Sequence, residues 1–338
     1  MAVATRPGSA RPHPLTFRAG TVMSLLQGRG IGGLAASVAI VWGLCFVLIQ
    51  SSLPSPAPLL LAAFRALLGG IVLALAVAVR NSRRRDPIAA LNPGPVGLGG
   101  ARLPTAPQLV ALALANVAIA FGAMYLAAGR AEAAVASILA GGQPLILVAA
   151  GWLLFRERAS VRSVTGLAVA MMGVVLVSTA SSGATSTDGI VLALAAAAAP
   201  AAGTVLMRRL APTVDLLATT SAQFLLGGAI LLVASAVLEP WGAVSWSAAM
   251  LPALLVLGVL GTGVAYVVWF WLLDRVPLAR LGMALFLVPV AGVLAGVVTG
   301  DRPGLWELAG IAAVLAGVAI VSVGGPARSA EGPALQTA

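Results

Sequence analysis

The sequence predicts an all-α membrane protein whose ten transmembrane helices form two inverted five-helix repeats. Three observations lead to this fold class: the apolar composition, the spacing of the apolar blocks, and the distribution of arginine. Of the 338 residues, 60% are hydrophobic and 9% are charged, and the mean hydropathy is +1.04. Soluble domains carry about 25% charged residues. The chain therefore has too few polar side chains to cover a water-facing surface.

The apolar residues fall into blocks of about 20 residues, the length at which a helix crosses a hydrocarbon layer about 30 Å thick. Helices are favoured over other structures because each backbone polar group must be satisfied internally in lipid. The predicted spans are 31–51, 57–79, 107–127, 133–154, 162–180, 188–207, 215–237, 249–272, 279–300 and 305–323.

Arginine supplies all twenty basic residues and predicts the orientation of these spans. With the N-terminus inside, 17 arginines lie on the cytoplasmic side and two, Arg130 and Arg302, lie outside. This asymmetry is the one that the positive-inside rule requires. We therefore expect a multi-pass plasma-membrane protein with cytoplasmic tails at 1–30 and 324–338. The net charge of +10 then reflects contact with the lipid bilayer, and no nucleic-acid partner is expected.

An internal repeat follows from aligning the chain with itself. The segment YLAAGRAEAAVASILAGGQP (125–144) matches FWLLDRVPLARLGMALFLVP (270–289) at an offset of 145 residues. Further on, at an offset of 144, Gly173 matches Gly317. Five helices in each half give the halves, 31–180 and 188–323, opposite orientations in the membrane. Transporters use such inverted repeats to exchange two conformations.

Several segments resemble the EamA-type, ten-helix members of the drug/metabolite transporter superfamily. They are VWGLCFVLIQ (41–50), AAFRALLGG (62–70), QPLILVAAGWLLFRER (143–158), GVLGTGVAYVVWFWLL (258–273) and LVPVAGVLAGVVTGD (287–301). The resemblance covers about 31–323 and implies export or uptake of a small metabolite by alternating access. The chain departs from the family pattern at Asp301, where glutamate is usual, and in a longer loop at 81–106.

Arg65 is the charged residue that lies well inside a predicted span. An arginine at the centre of a membrane helix costs about 2.5–3.5 kcal/mol on insertion scales and is by default a candidate functional residue. It could anchor a substrate carboxylate or phosphate. It could equally be structural, reaching outward or bonding to carbonyls of a neighbouring helix. The sequence leaves both interpretations open.

Pro144 and Pro289 are candidate hinges. They occupy matching positions of the two repeats, and each removes a backbone N–H and frees a carbonyl about one turn earlier. In lipid, such a break is tolerated where protein or a water-filled cavity satisfies the freed group. We therefore expect both prolines to line the translocation path.

The remaining candidate substrate-binding residues are polar or amphipathic side chains within the predicted spans. Tyr266 and Trp269 share one helix face with Thr262, at spacings of three and four residues. A cavity with several aromatic rings and few hydrogen-bonding groups suits an amphipathic small molecule. Together with Arg65, the predicted substrate-binding residues are Trp42, Asn116, Gln143, Tyr266 and Trp269.

Motifs typical of enzymes and of ATP-driven pumps are missing from the sequence. No acidic residue lies mid-span, the only histidine is His13, and no metal-hydrolase, nucleophile-elbow or P-loop motif is present. We therefore predict a non-enzyme without cofactor or metal, acting as a secondary transporter, most simply an exporter, of a small metabolite such as an amino acid or a related amphipathic solute. The alternative is a non-transporting membrane scaffold or regulatory protein. Pairing with a second copy as a homodimer stays open.

Overall fold

The computed structural model describes residues 30–52, 56–83, 102–127, 143–157, 160–179, 187–248, 250–288, 290–291, 294 and 304–322. All regular secondary structure in these ranges is helical. Several sequence-based predictions lie outside them: the two tails, the loop from 84 to 101, the outer arginines Arg130 and Arg302, and the hinge Pro289.

The helices follow the predicted apolar blocks. They are α1 (Gly30–Ser52), α2 (Pro58–Arg83), α3 (Ala106–Ala127), α4 (Gln143–Leu154), α5 (Val161–Thr179), α6 (Thr187–Leu210), α7 (Leu216–Leu238), α8 (Met250–Leu273), α9 (Leu278–Ala284) and α10 (Leu305–Ser322). Most described ends lie within four residues of their predictions; the exception is α9, which ends at Ala284 before a turn at Leu285 and Phe286, whereas the predicted span continues to 300. Pro200 lies inside α6 without ending it.

Five of the described helices are long and apolar enough to cross a membrane: α2, α3, α6, α7 and α8. Their mean hydropathies lie between 2.0 and 2.3 over 18 residues. Shorter apolar stretches lie in α1, α4, α5 and α10. A length of about 20 residues spans the hydrocarbon layer, so these five helices alone define a multi-pass membrane protein.

The helices α2 and α7 pack against each other in opposite directions through matched glycines. A methyl group on Gly70 would lie 2.9 Å from the Leu225 side chain, and one on Gly228 would lie 2.9 Å from the Leu67 side chain. Small residues of this kind let membrane helices approach closely.

The ends of α2 and α7 are tied together by carboxylates. Asp215, the N-cap of α7, accepts hydrogen bonds from Ala218 N at 3.0 Å and from Arg80 near the end of α2 at 2.5 and 3.1 Å. At the opposite end, Glu239 follows α7 and accepts hydrogen bonds from the backbone N–H groups of Leu59 and Leu60. The helix dipole favours both acids, because each lies at a helix N-terminus.

The helices α5 and α10 form a second antiparallel pair with backbone-to-backbone contact. A methyl group on Gly173 would lie 2.5 Å from the Gly310 carbonyl oxygen, and one on Gly317 would lie 2.5 Å from that of Gly166. Backbone atoms cannot move aside as a flexible side chain can. The packing of this pair therefore depends on the absence of a side chain at both positions.

Two π-helical segments interrupt α3 and α8, at Leu114–Ile119 and Val259–Val264. They lie 145 residues apart, which is the offset of the sequence repeat. Short π-helical segments often mark functional sites because they change the direction of side chains and carbonyls. Both segments carry residues of the site described next.

Candidate functional site

Aromatic rings surround the side chain of Tyr266 in the middle of the described helices. Its ring centroid lies 5.1 Å from that of Trp42 on α1 and 4.7 Å from that of Phe224 on α7. Trp42 also lies 5.2 Å from Trp269, and Phe121 on α3 lies 6.4 Å from Tyr266. The tilted and edge-on ring geometries are those that aromatic pairs prefer. These rings come from both halves of the chain.

Arg65 lies beside this aromatic cluster and is 3% exposed. Its Nε donates to the Thr262 hydroxyl at 3.0 Å, and its guanidinium carbon lies 4.5 Å from the centroid of the Phe121 ring. Nη2 lies 3.5 Å from the carbonyl oxygen of Gly261, a long hydrogen bond, while Nη1 has no partner. Arg65 is thus held by hydrogen bonds to Thr262 and Gly261, while its Nη1 group is a hydrogen-bond donor without a partner.

The positive charge of Arg65 has no carboxylate partner among the described residues. The described ion pairs join Arg80 to Asp215, Arg208 to Glu157 and Arg275 to Asp274, all at helix ends. The phenol of Tyr125 is the polar group that lies close to the guanidinium, although its hydroxyl makes no hydrogen bond of standard geometry. Charges buried without a counter-ion are rare in proteins because they are costly.

The π-helical segment of α8 supplies the acceptors for this site. The Gly261 carbonyl accepts from Trp42 Nε1 at 3.1 Å as well as from Arg65. The Thr262 hydroxyl donates to the Leu257 carbonyl at 2.9 Å, which orients its oxygen to accept from Arg65. A methyl group on Gly261 would collide with the Cys45 sulfur. The position therefore requires glycine.

Asn116 and Gln223 form a second polar centre, between α3 and α7. Asn116 Nδ2 donates to Gln223 Oε1 at 3.0 Å. Asn116 Oδ1 and Gln223 Nε2 have no partner, although the two residues are 1% and 0% exposed. Reversing both amides would also leave one donor and one acceptor unused. The Asn116 side chain lies directly on Gly203 of α6, where a methyl group would collide with it.

The two polar centres are formed by matching positions of the sequence repeat, and each centre contains residues from both halves of the chain. Arg65 and Gln223 are 158 residues apart, as are Cys45 and Gly203, and Asn116 precedes Gly261 by 145 residues. In the first centre, Gly261 of one π-helical segment lies against Arg65 and Cys45. In the second, Asn116 of the other π-helical segment lies against Gln223 and Gly203. One centre is charged and the other is neutral.

Five of the six predicted substrate-binding residues fall in these two centres: Trp42, Arg65, Asn116, Tyr266 and Trp269. Gln143 is half-buried at the first residue of α4 and makes no ring or hydrogen-bond contact with them within the described ranges. Pro144 is the second residue of α4 as described and is buried against α9.

Phe121, Phe224 and the backbone of Gly261 belong to the site without having been predicted. The two phenylalanines were indistinguishable from core residues by hydropathy. One signal in the sequence was the pair Phe121 and Tyr125. These two aromatic residues are one helical turn apart on α3, the helix that also carries Asn116. The acceptor role of Gly261 arises from the π-helical geometry, which the sequence pattern does not reveal.

A network of charged residues joins the ends of α4, α6 and α8. Arg208 contacts Glu157 at 3.1 Å and donates to the carbonyls of Leu273 and Val276 at 3.1 and 2.8 Å. Glu157 also accepts from the Leu278 N–H, at the start of α9. Its neighbour in sequence, Arg156, adopts a left-handed backbone conformation, with φ of 52°, in the turn that ends α4.

These features define a class of protein: a multi-pass helical membrane protein with a buried, aromatic-lined cationic site in the middle of its spans. The comparisons with known proteins specify the class further. The model of the EamA-like transporter family matches residues 31–179 and again residues 187–323. The chain therefore belongs to the EamA-like transporter family, as its sequence motifs predicted.

Three relatives match most of the chain, and two of them are named as a transporter or an efflux pump. An uncharacterized transporter, YvbV, of Bacillus subtilis is 26% identical over 88% of this chain and 93% of its own. A probable amino-acid metabolite efflux pump of Salmonella typhimurium is 29% identical over 86% of this chain and 93% of its own. Protein PecM of Dickeya dadantii is 25% identical over 76% of this chain and 80% of its own.

A solved crystal structure has the same fold. It superposes with a TM-score of 0.70 at 21% identity and covers 87% of this chain and 97% of the other. The family is one of transporters, which points away from an enzyme and agrees with the lack of a catalytic motif in the sequence.

Proposed function

We propose that this protein is a secondary transporter of the plasma membrane that exports a small amphipathic metabolite, such as an amino acid or a related solute. The observation that carries the proposal is the buried guanidinium of Arg65, with an unused donor, beside aromatic rings from both halves of the chain. Such a site offers an anion partner and apolar contacts to the same small molecule. The name of the Salmonella typhimurium relative supports this kind of solute and this direction.

The mechanism in this proposal is alternating access of two inverted repeats, 31–180 and 188–323. Two matches of one family model, to 31–179 and 187–323, support the division. The reciprocal contacts Gly70–Leu225 and Gly228–Leu67 support a two-fold relation, because each residue pair repeats the other at a constant offset of 158. Two antiparallel helix pairs lie between the halves, so relative movement of the halves would open the site to either side.

Charged contacts at helix ends are the proposed closure on one side of the membrane. Glu157 belongs to the first half, whereas its partners Arg208 and Leu278 belong to the second. Arg80 and Asp215 likewise join the two halves. In the proposed cycle these contacts hold one end closed and break when that end opens. Pro144 and Pro289 are the proposed hinges.

Transport can be tested with the purified chain in liposomes preloaded with a mixture of amino acids and related metabolites. We expect solute-specific release, measured by mass spectrometry of the external buffer, above the release from protein-free liposomes. The Arg65→Gln variant, incorporated to the same density, should release the solute more slowly. Release that is equal in protein-free and protein-containing liposomes for every solute would favour the scaffold alternative.

A further inference from the structure

Two helices of different halves supply the surroundings of the Arg65 guanidinium. On α8, the Thr262 hydroxyl accepts from Nε and the Gly261 carbonyl accepts from Nη2. On α3, the ring of Phe121 lies 4.5 Å from the guanidinium carbon. Tyr125 follows Phe121 by one helical turn, and its phenol also lies close to the guanidinium. The helix α3 therefore brings both a ring and a hydroxyl to Arg65.

Two buried polar atoms at this place have no partner. Arg65 is 3% exposed and Tyr125 is 5% exposed, and neither Nη1 of the arginine nor the hydroxyl of the tyrosine makes a hydrogen bond of standard geometry. Native proteins leave few buried polar atoms unpaired. If a small movement let Nη1 donate to the phenol oxygen, the proton of the hydroxyl would still need an acceptor. One acceptor that receives both donors would satisfy them together.

The second half of the chain has neither of these two groups at the matching positions. Arg65 matches Gln223 at an offset of 158, and Tyr125 matches Phe270 at an offset of 145. Phe270 is 1% exposed and its ring centroid lies 5.8 Å from that of Tyr266, so a ring without a hydroxyl packs well at this position. The hydroxyl of Tyr125 therefore accompanies the buried charge and is not needed for packing.

The pair lies towards one end of the helices that carry it. Arg65 is about two turns from the start of α2, and Tyr125 is within one turn of the end of α3. These ends are neighbours, because a methyl group on Gly122 of α3 would lie 3.4 Å from the Leu59 side chain of α2. The pair is buried in this structure, and the proposed cycle exposes it when this end opens. A solute that enters there reaches Arg65 after about 10 Å.

We propose that Tyr125 is a further substrate-binding residue, whose hydroxyl donates to one oxygen of a solute carboxylate while Arg65 Nη1 donates to the other. The inference rests on the transport function proposed above and specifies the head group of the solute. An ionised carboxylate has two acceptor oxygens and no donor, which matches two neighbouring donors. Its hydrogen bond from arginine is charge-assisted and therefore strong.

The charge of the site selects a monoanion. Arg65 is the one cationic side chain among the buried residues that the structure describes. A carboxylate neutralises this single charge. A dianionic phosphate monoester would leave one buried negative charge without a partner, which is costly.

Isothermal titration calorimetry on the purified full chain tests the hydroxyl. The probes are phenylacetate and its neutral amide, phenylacetamide, whose shared ring can pack against the aromatic cluster. We expect phenylacetate to bind at least about tenfold more tightly than the amide, and Tyr125→Phe to weaken phenylacetate binding by about tenfold or more. Unchanged affinity for phenylacetate in Tyr125→Phe, or no binding of phenylacetate to the unaltered chain, would overturn the proposal.

Thr219→Val is the matched control. The Thr219 hydroxyl is also buried without a partner, but it lies on α7, where the adjacent Ala218 packs against Val77, twelve residues along α2 from Arg65. This variant should bind phenylacetate with unchanged affinity. Each substitution removes an unpaired hydroxyl, so the melting temperatures of both variants should stay the same or rise.

Two outcomes of this comparison count against a bound carboxylate. Equal losses of phenylacetate affinity in Tyr125→Phe and Thr219→Val would show that the effect is not local to the site. A lower melting temperature of Tyr125→Phe would show that the hydroxyl holds the guanidinium in place and does not contact the solute.

A double variant tests whether both residues hold the same group. In Arg65→Gln with Tyr125→Phe, the loss of phenylacetate affinity should be smaller than the product of the two single losses, because the two donors share one carboxylate. Losses that multiply would assign the hydroxyl to another part of the solute and overturn the proposal. Phenyl phosphate should bind more weakly than phenylacetate, and tighter binding of phenyl phosphate would overturn the choice of a carboxylate.

These measurements separate the inference from the proposed function. Binding of phenylacetate that is lost in Tyr125→Phe, without flux of any solute in liposomes, would retain the carboxylate site and refute transport. Flux that Tyr125→Phe leaves unchanged for every solute would retain transport and refute the role of Tyr125.

Discussion

At the scale of single residues, the contacts of Arg65 fit both of the roles that its position allowed. Nε and Nη2 bond to the Thr262 hydroxyl and the Gly261 carbonyl, which is the structural role. Nη1 is buried without a partner, which is what the binding role needs. A buried unsatisfied donor costs about 1–3 kcal/mol, more when it is charged, so hydrogen bonds from Nη1 to an anionic ligand would offset this cost.

Two substitutions separate these roles. Arg65→Lys should retain partial affinity for an anionic solute, because the positive charge remains although the planar fork is lost. Arg65→Gln should lower the affinity by about tenfold to 150-fold, the equivalent of a charge-assisted hydrogen bond of about 1.5–3 kcal/mol. Affinity and melting temperature are measured together on monodisperse protein. A fall in stability of both variants at unchanged affinity would assign Arg65 a purely structural role.

Asn116 and Gln223 lead to a second prediction about buried polar pairs. Asn116→Leu alone should lower the free energy of unfolding by about 1–3 kcal/mol, because it leaves the Gln223 amide without its bond. Adding Gln223→Leu should restore part of that loss, since an apolar pair leaves no unsatisfied group. Stability is followed by thermal unfolding in detergent. Additive losses in the double variant would show that the two amides are energetically independent.

At the scale of helices, the contact between α5 and α10 rests on Gly173 and Gly317. Each faces a backbone oxygen 2.5 Å from the position of an added methyl group. Gly173→Ala and Gly317→Ala should each destabilise the protein by about 1–3 kcal/mol, the usual cost of overpacking. Because both act on one interface, their combined effect should be smaller than their sum.

The matched control for these variants is Gly33→Ala in α1. Gly33 is helical, and nothing lies within 4 Å of an added methyl group. Alanine is a better helix former than glycine by about 0.5–1 kcal/mol, so this variant should be neutral or stabilised. Melting temperatures of the three variants in one detergent give the comparison. A melting temperature of Gly173→Ala that matches Gly33→Ala would mean that α5 and α10 are not in close contact.

The helix boundaries were predictable because lipid imposes a length and an apolar composition on every span. The two π-helical segments, Leu114–Ile119 and Val259–Val264, were not, because one inserted residue per turn leaves the hydropathy pattern almost unchanged. Those segments supply Asn116, the Gly261 carbonyl and Thr262. Sequence reasoning therefore named Arg65, Tyr266 and the two tryptophans of the candidate site. It missed Phe121, Phe224 and the backbone acceptor that connects Trp42 to Arg65.

Contacts between residues that are distant in sequence were harder to predict than the identity of the candidate site residues. Glu157 pairs with Arg208, which lies on a helix about fifty residues further along the chain. The residues next to Glu157 in sequence do not reveal this partner, because the turn at Arg156 places the Glu157 carboxylate against the start of α9. Such long-range pairing depends on how the halves pack, which composition and spacing do not specify.

At the scale of the whole molecule, charge is distributed unevenly between the helix ends. The ion pairs Arg80–Asp215 and Arg208–Glu157 lie at ends that the arginine count places in the cytoplasm. Glu239 lies at the opposite end of α7 and has backbone N–H groups and Ser235 as its partners instead of an arginine. This difference in chemistry between the two ends is what orientation by the positive-inside rule would produce.

Topology gives the last prediction. In a Cys45→Ala background, single cysteines replace Arg84 and Ala243, which is exposed in the turn between α7 and α8. A membrane-impermeant maleimide added to intact cells should label the cysteine at 243 and leave that at 84 unlabelled until the membrane is opened. The expectation follows from the 17 arginines on one side against two on the other. Opening the membrane is also the control, since it shows that both thiols are reactive. Labelling at 84 in intact cells would reverse the orientation of every span, and labelling at both positions would require a different number of spans between them.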